Sequence, residues 1–349
     1  MAPAGSIDGM QLKFTEDELM REHDYAQPQV VAGHRLHGGF DAAGQYVSPR
    51  TALRGGAVDN WTAALRQRGG ELFEANASLL AGARMPTPQQ QKLLMVEGLG
   101  QTFWNSLTIT GIIEGRGRFL ADAAFPSFQP VIVEDISEMA LGHIHTGLLK
   151  AHGMDEGGDV ERGIGGHDVM WFALRDLAFG STDYPQPEVP EVISRPDAPS
   201  GSPIPQLPDA QARVLSFLMN LLMIEFRAEL GFEGTEALLR DDELFTDRRA
   251  EALEAADVVQ RIRQDEEVHV TSLRLMLGEA ASVTFKTVDG GTIRGSELIA
   301  PFWDGLVQWA TVDQPPLAAK RMHGVLSDRI MKHADGARIL ERFDGLSAH

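Results

Sequence analysis

The stretch "RQDEEVHV" (residues 263–270) decides the predicted fold, because it places an acid and a histidine at helical spacing inside a long predicted helix. Glu266 and His269 are three residues apart. A step of three residues turns a helix by about 300°, so the two side chains share one face. A carboxylate and an imidazole on one face can hold the same metal ion. The alternative is a solvated helix face, since the stretch is rich in charge.

The composition limits which ligands and partners are available to the chain. Its 349 residues carry a formal net charge of −19, which repels phosphate backbones and anionic lipid surfaces. We therefore expect no nucleic-acid partner and no membrane partner. No apolar run is long enough to span a bilayer, and the first residues show no secretory signal, which predicts a cytoplasmic protein. Because the chain has no cysteine, any metal must be held by carboxylate and imidazole groups.

Apolar periodicity, glycine and proline divide the chain into three predicted parts. Residues 1–87 are glycine-rich and weakly periodic, which predicts a loop-rich arm with a short helix. Residues 88–280 predict a helical bundle, in which a proline-rich crossover at residues 181–207 separates two pairs of long helices. Residues 281–349 predict a small β-hairpin and helices that pack on the bundle. The predicted fold class is therefore mainly α.

The boundaries of the elements rest on capping and turn signals. Thr87 is a predicted N-cap, with Pro88 in the first turn after it. In the C-terminal part, the Asp-Gly pair at residues 289–290 predicts a tight hairpin turn, and Ser296 is a predicted helix cap. The helices expected in the bundle cover about residues 88–120, 131–150, 167–179, 208–231 and 248–278.

Three glutamates interrupt helices that are otherwise apolar. They are Glu97, Glu138 and Glu225. Burying a carboxylate costs several kcal/mol unless the group is paired, hydrogen-bonded or bound to metal. Glu97 and Glu138 are 41 residues apart, and so are Glu225 and Glu266. Two helical hairpins with the same offset could bring four carboxylates to one level of a bundle. The alternative is a set of buried ion pairs with nearby arginines such as Arg227.

One glutamate per helix, with Glu-x-x-His on a partner helix, resembles the ferritin-like di-iron carboxylate superfamily. The resemblance covers about residues 88–280. It implies that Glu225 is the lone glutamate of the third bundle helix, as Glu97 is of the first. It also implies that Glu266 and His269 are ligands on the fourth helix, and that Asp265 orients a histidine ligand.

The second predicted helix departs from that pattern. Leu141 stands where a histidine is expected after Glu138. His145 lies seven residues after Glu138 on the same face, about 10.5 Å further along the axis, which strains a shared ion. His143 could reach the face through a π-bulge. The predicted ligands are therefore Glu97, Glu138, His145, Glu225, Glu266 and His269, with Asp265, Glu229 and His143 in weaker or supporting roles.

Other polar residues compete with this set. Glu114 also interrupts an apolar run, but it lies off the face of Glu97 and is interpreted as a partner for Arg116 or Arg118. Two glycine-flanked loops offer a different metal cluster, and Asp168 is better explained as a charge in the first turn of the following helix. The residues of this alternative cluster are His152, Asp155, Glu156, His167 and Asp168, and two further histidines are His34 and His37.

The predicted function follows from the ligand types. Carboxylates with imidazole suit Fe(II) or Mn(II), so we expect two iron ions, or one if the second helix is degenerate, with manganese as an alternative. The resemblance implies an oxidoreductase that activates O₂ toward a small organic substrate. The amount of apolar helix surface predicts a homodimer. A non-catalytic scaffold with a degenerate metal site and a metal-dependent hydrolase remain as alternatives. The aromatic residues Phe103, Trp104, Trp171 and Phe172 are expected to form core or line a pocket.

Overall fold

The computed structural model describes residues 9–25, 27–81, 85–191 and 201–346, and in these residues the fold is mainly helical. None of the helices in the described part of the chain is both long and apolar enough to cross a membrane. The strands form three separate antiparallel pairs. The prediction of a mainly α fold is therefore confirmed.

The N-terminal arm contains short elements that pack against the helices. Trp61, which is fully buried, donates a hydrogen bond to the carbonyl of Leu12 at 2.9 Å and so fixes the start of the arm on α2. The elements of the arm are α1 (Glu16–Leu19), the pair β1 (Gln29–Val31) and β2 (His34–Leu36), the pair β3 (Gly39–Phe40) and β4 (Tyr46–Val47), α2 (Arg54–Gln67) and a 3-10 turn at Ala77–Leu80.

Two long helices dominate the middle of the chain, and α9 packs on both α7 and α8. The predicted helices at 167–179, 208–231 and 248–278 are present, and the last two extend further than expected. Thr87 caps α3 as predicted, since its side chain accepts a hydrogen bond from the amide of Gln90. The helices are α3 (Pro88–Val96), α4 (Gln101–Arg116), α5 (Phe119–Asp122), α6 (Leu148–Gly157), α7 (His167–Phe179), α8 (Asp209–Arg240) and α9 (Arg249–Ser282).

The continuous helix predicted over residues 88–120 is wrong. Gly98 has a φ of +79°, a left-handed conformation that ends α3 and separates it from α4. Glu97 therefore caps the end of α3 instead of lying within a long helix.

The helix predicted at residues 131–150 is also wrong. The side chain of Gln129 bonds the carbonyl of Glu134 and the amide of Ile136, and such local bonds compete with a helix. A 3-10 segment covers Ala140–Thr146 and ends at Gly147, which has a φ of +115°. The chain becomes α-helical only with α6, so Glu138 lies in a loop.

The proline-rich segment and the C-terminal part largely match their predictions. Residues 181–191 and 201–207 contain no helix or strand, and residues 192–200 of the predicted crossover lie outside the described residues. The hairpin is present, but its turn spans five residues between its strands, and Arg294 rather than Ser296 is the N-cap of the next helix. The elements are β5 (Thr284–Lys286), β6 (Thr292–Arg294), α10 (Gly295–Gln308), a π-helical turn (Trp309–Asp313), α11 (Gln314–Ile330) and α12 (Gly336–Gly345).

Buried apolar residues form two large clusters along α8 and α9. On α9, Ile262 belongs to one cluster and Leu273 to the other. On α8, Met223 and Phe232 are divided in the same way. Between these positions lie the buried polar residues Glu225, Asp265, Glu266 and His269, so a layer of buried charge separates two apolar layers.

Candidate metal centre

Six buried acids and histidines from four helices meet in this polar layer, and we name them the central cluster. They form two groups of four that share Glu156 and His269. Within each group, one potential ligand atom per residue lies within 4.8 Å of every other. The central cluster consists of His152 and Glu156 from α6, His167 from α7, Glu225 from α8, and Glu266 and His269 from α9.

Glu156 is at the centre of the arrangement. Its Oε1 atom lies 3.5 Å from Nε2 of His152, 3.4 Å from Nδ1 of His167 and 3.2 Å from Nδ1 of His269. Its side chain is 3% exposed, so water does not solvate this carboxylate. Three imidazoles therefore aim a ring nitrogen at one carboxylate oxygen.

Glu266 makes the matching contacts on the other side. One of its oxygens lies 2.9 Å from Nδ1 of His269, and the other lies 3.0 Å from Nδ1 of His167. On the far side of Glu156, Nε2 of His152 lies 3.2 Å from Oε1 of Glu225. The His152 and His269 rings stack with their centroids 3.7 Å apart.

Two aspartates orient the imidazoles. Oδ2 of Asp155 lies 3.2 Å from Nε2 of His269, and Oδ2 of Asp265 lies 3.2 Å from Nε2 of His167. An ionised aspartate only accepts hydrogen bonds, so each Nε2 donates and each Nδ1 faces the central cluster. A carboxylate that fixes the tautomer in this way is a common support for a metal-binding histidine.

The arm supplies the groups that hold these aspartates. Arg50 and Arg54 both donate to Asp155, and the bond from Arg54 is 2.6 Å long. On the other side, Asp265 accepts a 2.8 Å hydrogen bond from the Tyr46 hydroxyl and lies 3.2 Å from Nε2 of His37. The arm therefore closes the polar layer from one side.

A glycine-rich loop brings His167 beside Glu156. Gly158 has a φ of +68°, and a Cβ there would overlap the carbonyl oxygen of Ile164. The amide and carbonyl groups of Asp159 and Ile164 bond each other, so the chain reverses within a few residues. The segment "EGGDVERGIGGH" joins the end of α6 to the first residue of α7. Helical periodicity does not relate Glu156 to His167 across this loop.

Glu114 of α4 also reaches the central cluster, so its predicted pairing with Arg116 or Arg118 is wrong. Arg116 donates to the carbonyl of Pro190, and Arg118 donates to that of Gly158. The Glu114 carboxyl instead bonds Glu156, because α4 and α6 approach closely: a Cβ at Gly117 would lie 2.5 Å from Cγ of Glu156.

Two acids and two imidazoles of the central cluster shift each other's pKa values. Burial opposes ionisation of Glu156 and Glu266, but the imidazoles of His167 and His269 outweigh it and lower both pKa values. Burial likewise opposes protonation of these two imidazoles, but the carboxylates hold each histidine pKa well above its usual value. These two carboxylates and two imidazoles thus stabilise each other's charge.

Burial favours the protonated forms of Glu114 and Glu225. Burial, together with the charges of Glu156 and Glu266, holds the pKa values of Glu114 and Glu225 well above the usual range. Burial and the charge of His269 lower the pKa of His152, which leaves its ring neutral. Protons on two imidazoles and two carboxyls therefore balance the negative charge, a role that metal cations would take over with release of these protons.

Several ligand atoms lack the hydrogen bond that burial demands. Glu156 Oε1, Glu266 Oε1 and His167 Nδ1 have no hydrogen-bond partner among the described residues, although oppositely charged atoms lie within 3.5 Å. A first-row metal binds such nitrogens and oxygens at about 2.0–2.2 Å, so the donors around one ion lie up to about 4.4 Å apart. The central cluster could therefore hold a metal ion.

Of the predicted ligands, the structure brings three into the central cluster: Glu225, Glu266 and His269. Asp265 contacts His167, which agrees with the expectation that this aspartate orients a histidine. The other predicted residues lie elsewhere, each for a physical reason.

Arginine and lysine partners hold the remaining acids. Glu97 pairs with Arg338 and Arg342. Glu138, in its loop, lies 3.7 Å from Lys13, and Glu229 pairs with Arg263. The two predicted histidines of the 3-10 segment also lie outside the central cluster: His143 accepts a hydrogen bond from the amide of Phe14, and His145 is exposed.

The residues that sequence reasoning set aside are Glu114, and His152, Glu156 and His167 of the alternative cluster. One signal could have found them: the dipeptide Asp155-Glu156 repeats Asp265-Glu266. A second signal is the spacing of 42 residues between Glu114 and Glu156, close to the 41 between Glu225 and Glu266.

Comparisons with protein-family models, curated proteins and solved structures found no match to this chain. The assignment of a function therefore rests on the chemistry of the central cluster. The features that carry it are burial, convergent ligand atoms and oriented imidazoles.

Proposed function

We propose that this protein is a ferritin-like oxidoreductase, which binds two iron ions, or iron with manganese, and activates O₂ toward a small organic substrate. The observation that carries the proposal is the Oε1 atom of Glu156, which faces three imidazole nitrogens within 3.5 Å but accepts no hydrogen bond from the described residues. Buried ligand atoms that converge without well-aligned hydrogen bonds are typical of a metal site.

The distribution of the acids over the helices supports a ferritin-like arrangement. One glutamate from α4, Glu114, and one from α8, Glu225, reach the polar layer, and Glu156 and Glu266 belong to α6 and α9. Di-iron carboxylate bundles use one glutamate from each of two helices and a glutamate with a histidine from each of the other two. In this chain the second histidine is His167, which comes from α7 instead of α6.

Hard oxygen ligands with imidazole favour iron or manganese. Two ferrous ions bound in the central cluster would supply two electrons to O₂. The residues around them perform the other tasks: Asp155 and Asp265 hold the imidazoles in one tautomer, and the protons on Glu114 and Glu225 are available to be released. Apolar side chains such as Trp171 and Met223 exclude bulk water from the layer.

The test is anaerobic loading of the purified chain with Fe(II), followed by exposure to O₂. We expect rapid uptake of O₂ and a change in absorbance in the wild type. Both should be abolished in the double variant Glu266→Ala, His269→Ala. Glu138→Gln is the matched control, because this acid lies in a loop away from the central cluster, and it should behave like the wild type.

Circular dichroism of the double variant separates loss of the site from loss of the fold. If all three proteins oxidise iron at the same slow rate, the oxidoreductase proposal is wrong. The central cluster would then be a set of buried ion pairs in a non-catalytic scaffold.

A further inference from the structure

A cavity of about 510 Å³ lies between α4 and α8, and its lining includes Glu114, which contacts Glu156 of the central cluster. Its walls are mainly apolar, with Phe103 and Leu107 on α4 and Met223 and Phe232 on α8. A volume of this size is typical of sites for small organic molecules. The inference drawn from this cavity rests on the proposed function, because it concerns the substrate of the same site.

The cavity has an inner and an outer end. Glu114 lines it and bonds Glu156, so this end adjoins the central cluster. Phe103 lines it eleven residues earlier on α4, about 16 Å away along the helix axis. The cavity is therefore elongated, and a molecule inside it presents one end to the central cluster.

Arg227 lies on the wall near the inner end. It follows Glu225 by two residues, which places it about 3 Å further along the axis of α8. Among the described residues that line the cavity, Arg227 is the one with a positively charged side chain. The guanidinium group offers five N–H donors, so it can bind a carboxylate in addition to its other contacts.

We propose that the cavity binds an apolar carboxylic acid, with its carboxylate at Arg227 and its apolar body extending outward between Phe103 and Phe232. The positive charge on a mainly apolar wall favours an anion, in a protein whose net charge of −19 repels anions elsewhere. The carbon atoms next to the carboxylate then lie nearest to Glu114. This orientation selects the acid end of the molecule as the site of reaction.

The test measures binding by calorimetry, with decanoate as the acid and decan-1-ol as its uncharged match. Both are titrated into the full chain as purified, and again after treatment with a chelator, so that ligation by metal is separated from binding in the cavity. We expect decanoate to bind more tightly than decan-1-ol in both preparations.

Two sets of variants locate the binding. Arg227→Gln should weaken decanoate about tenfold or more and leave decan-1-ol unchanged, since it removes only the charged contact. Ala228→Trp fills the cavity and should abolish binding of both molecules. Ala237→Trp is the matched control, because Ala237 is exposed on the same helix and does not line the cavity.

The outcomes separate this inference from the proposed function. Equal binding of the acid and the alcohol, or unchanged decanoate affinity in Arg227→Gln, overturns the assignment of an acid. No binding of either molecule overturns the cavity as a binding site, while the metal content and O₂ uptake of the same preparation still test the central cluster on their own.

Discussion

The two halves of the central cluster use the same groups but build them differently. On α9, Asp265, Glu266 and His269 lie within one regular helix of 34 residues. On the other side, Asp155 and Glu156 end the ten-residue helix α6, and the corresponding histidine is His167, beyond a glycine-rich loop. Each aspartate orients the histidine of the opposite half. A symmetric site thus arises from one local motif and one that depends on loop closure.

The largest effect should come from removing one histidine ligand from either half. We expect His269→Ala to abolish the binding of Co(II) and His167→Ala to reduce it from two ions per chain to one, because His269 belongs to both groups of ligands and His167 to one. The visible absorption of Co(II) during titration measures this. His145→Ala is the control, since this histidine is exposed and far from the cluster. An equal loss of Co(II) in the two variants would contradict the shared role of His269.

The orienting aspartates should differ in their effect on stability. Asp155→Asn and Asp265→Asn should each weaken metal binding about 10- to 100-fold, since each fixes one imidazole. Asp155→Asn also removes the buried carboxylate that Arg50 and Arg54 share, which should lower the free energy of unfolding by about 3–5 kcal/mol.

Asp265 is held by a neutral group, the Tyr46 hydroxyl, as well as by histidines. For Asp265→Asn we therefore expect the free energy of unfolding to fall by about 1–3 kcal/mol. Urea unfolding measures both values. Asp122→Asn, an exposed position, is the control. Equal destabilisation by the two substitutions would contradict the role assigned to the buried arginines.

The loop between Glu156 and His167 should be sensitive at one glycine and tolerant at another. Gly158→Ala places a Cβ against the carbonyl of Ile164, so we expect about 2–4 kcal/mol of destabilisation. We also expect loss of the metal ion bound by the group of ligands that contains His167. Gly163→Ala has a similar φ of +62° but meets no atom within 4 Å, and it should cost about 1 kcal/mol with metal binding intact. Similar behaviour of the two variants in thermal unfolding and metal content would refute the close approach at Gly158.

A buried acid outside the central cluster gives the smallest expected effect. Burial raises the pKa of Glu279 to about 8, although it accepts a hydrogen bond from the Leu141 amide and pairs with Arg68. Because its folded pKa is raised, the stability it contributes is fully present below the unfolded pKa of about 4.5 and is lost as the pH rises to about 8. Glu279→Gln should therefore reduce the fall in unfolding free energy between pH 5 and 8 by about 1–2 kcal/mol. An unchanged pH profile in urea unfolding would contradict a protonated Glu279.

The same contrast explains how much could be predicted from the sequence. Glu225, Glu266 and His269 follow helical periodicity on α8 and α9, and the structure brings them together. Glu97 and Glu138 have the right spacing, but Gly98 ends one helix and local hydrogen bonds prevent the other. Spacing along the chain predicts a shared face only where the helix between is continuous.

The half of the cluster that contains Glu156 and His167 was not predicted, because it depends on backbone conformations that the periodicity of the sequence does not indicate. His167 reaches Glu156 because glycines allow a tight reversal, and Glu114 reaches it because glycines let α4 and α6 approach. The contributions of Arg50 and Tyr46 come from the arm, more than 100 residues away from Asp155 and more than 200 from Asp265. Such contacts depend on tertiary packing, and no local sequence pattern predicts them.

The most direct test of the account is the metal content of the anaerobically loaded chain, measured by elemental analysis in the wild type and in Glu156→Gln. Glu156 belongs to both groups of ligands, so the account predicts two ions per chain in the wild type and none that survive gel filtration in the variant. Glu138→Gln should retain both ions. If Glu156→Gln holds as much metal as the wild type, or if the wild type holds none, the central cluster is not a metal centre.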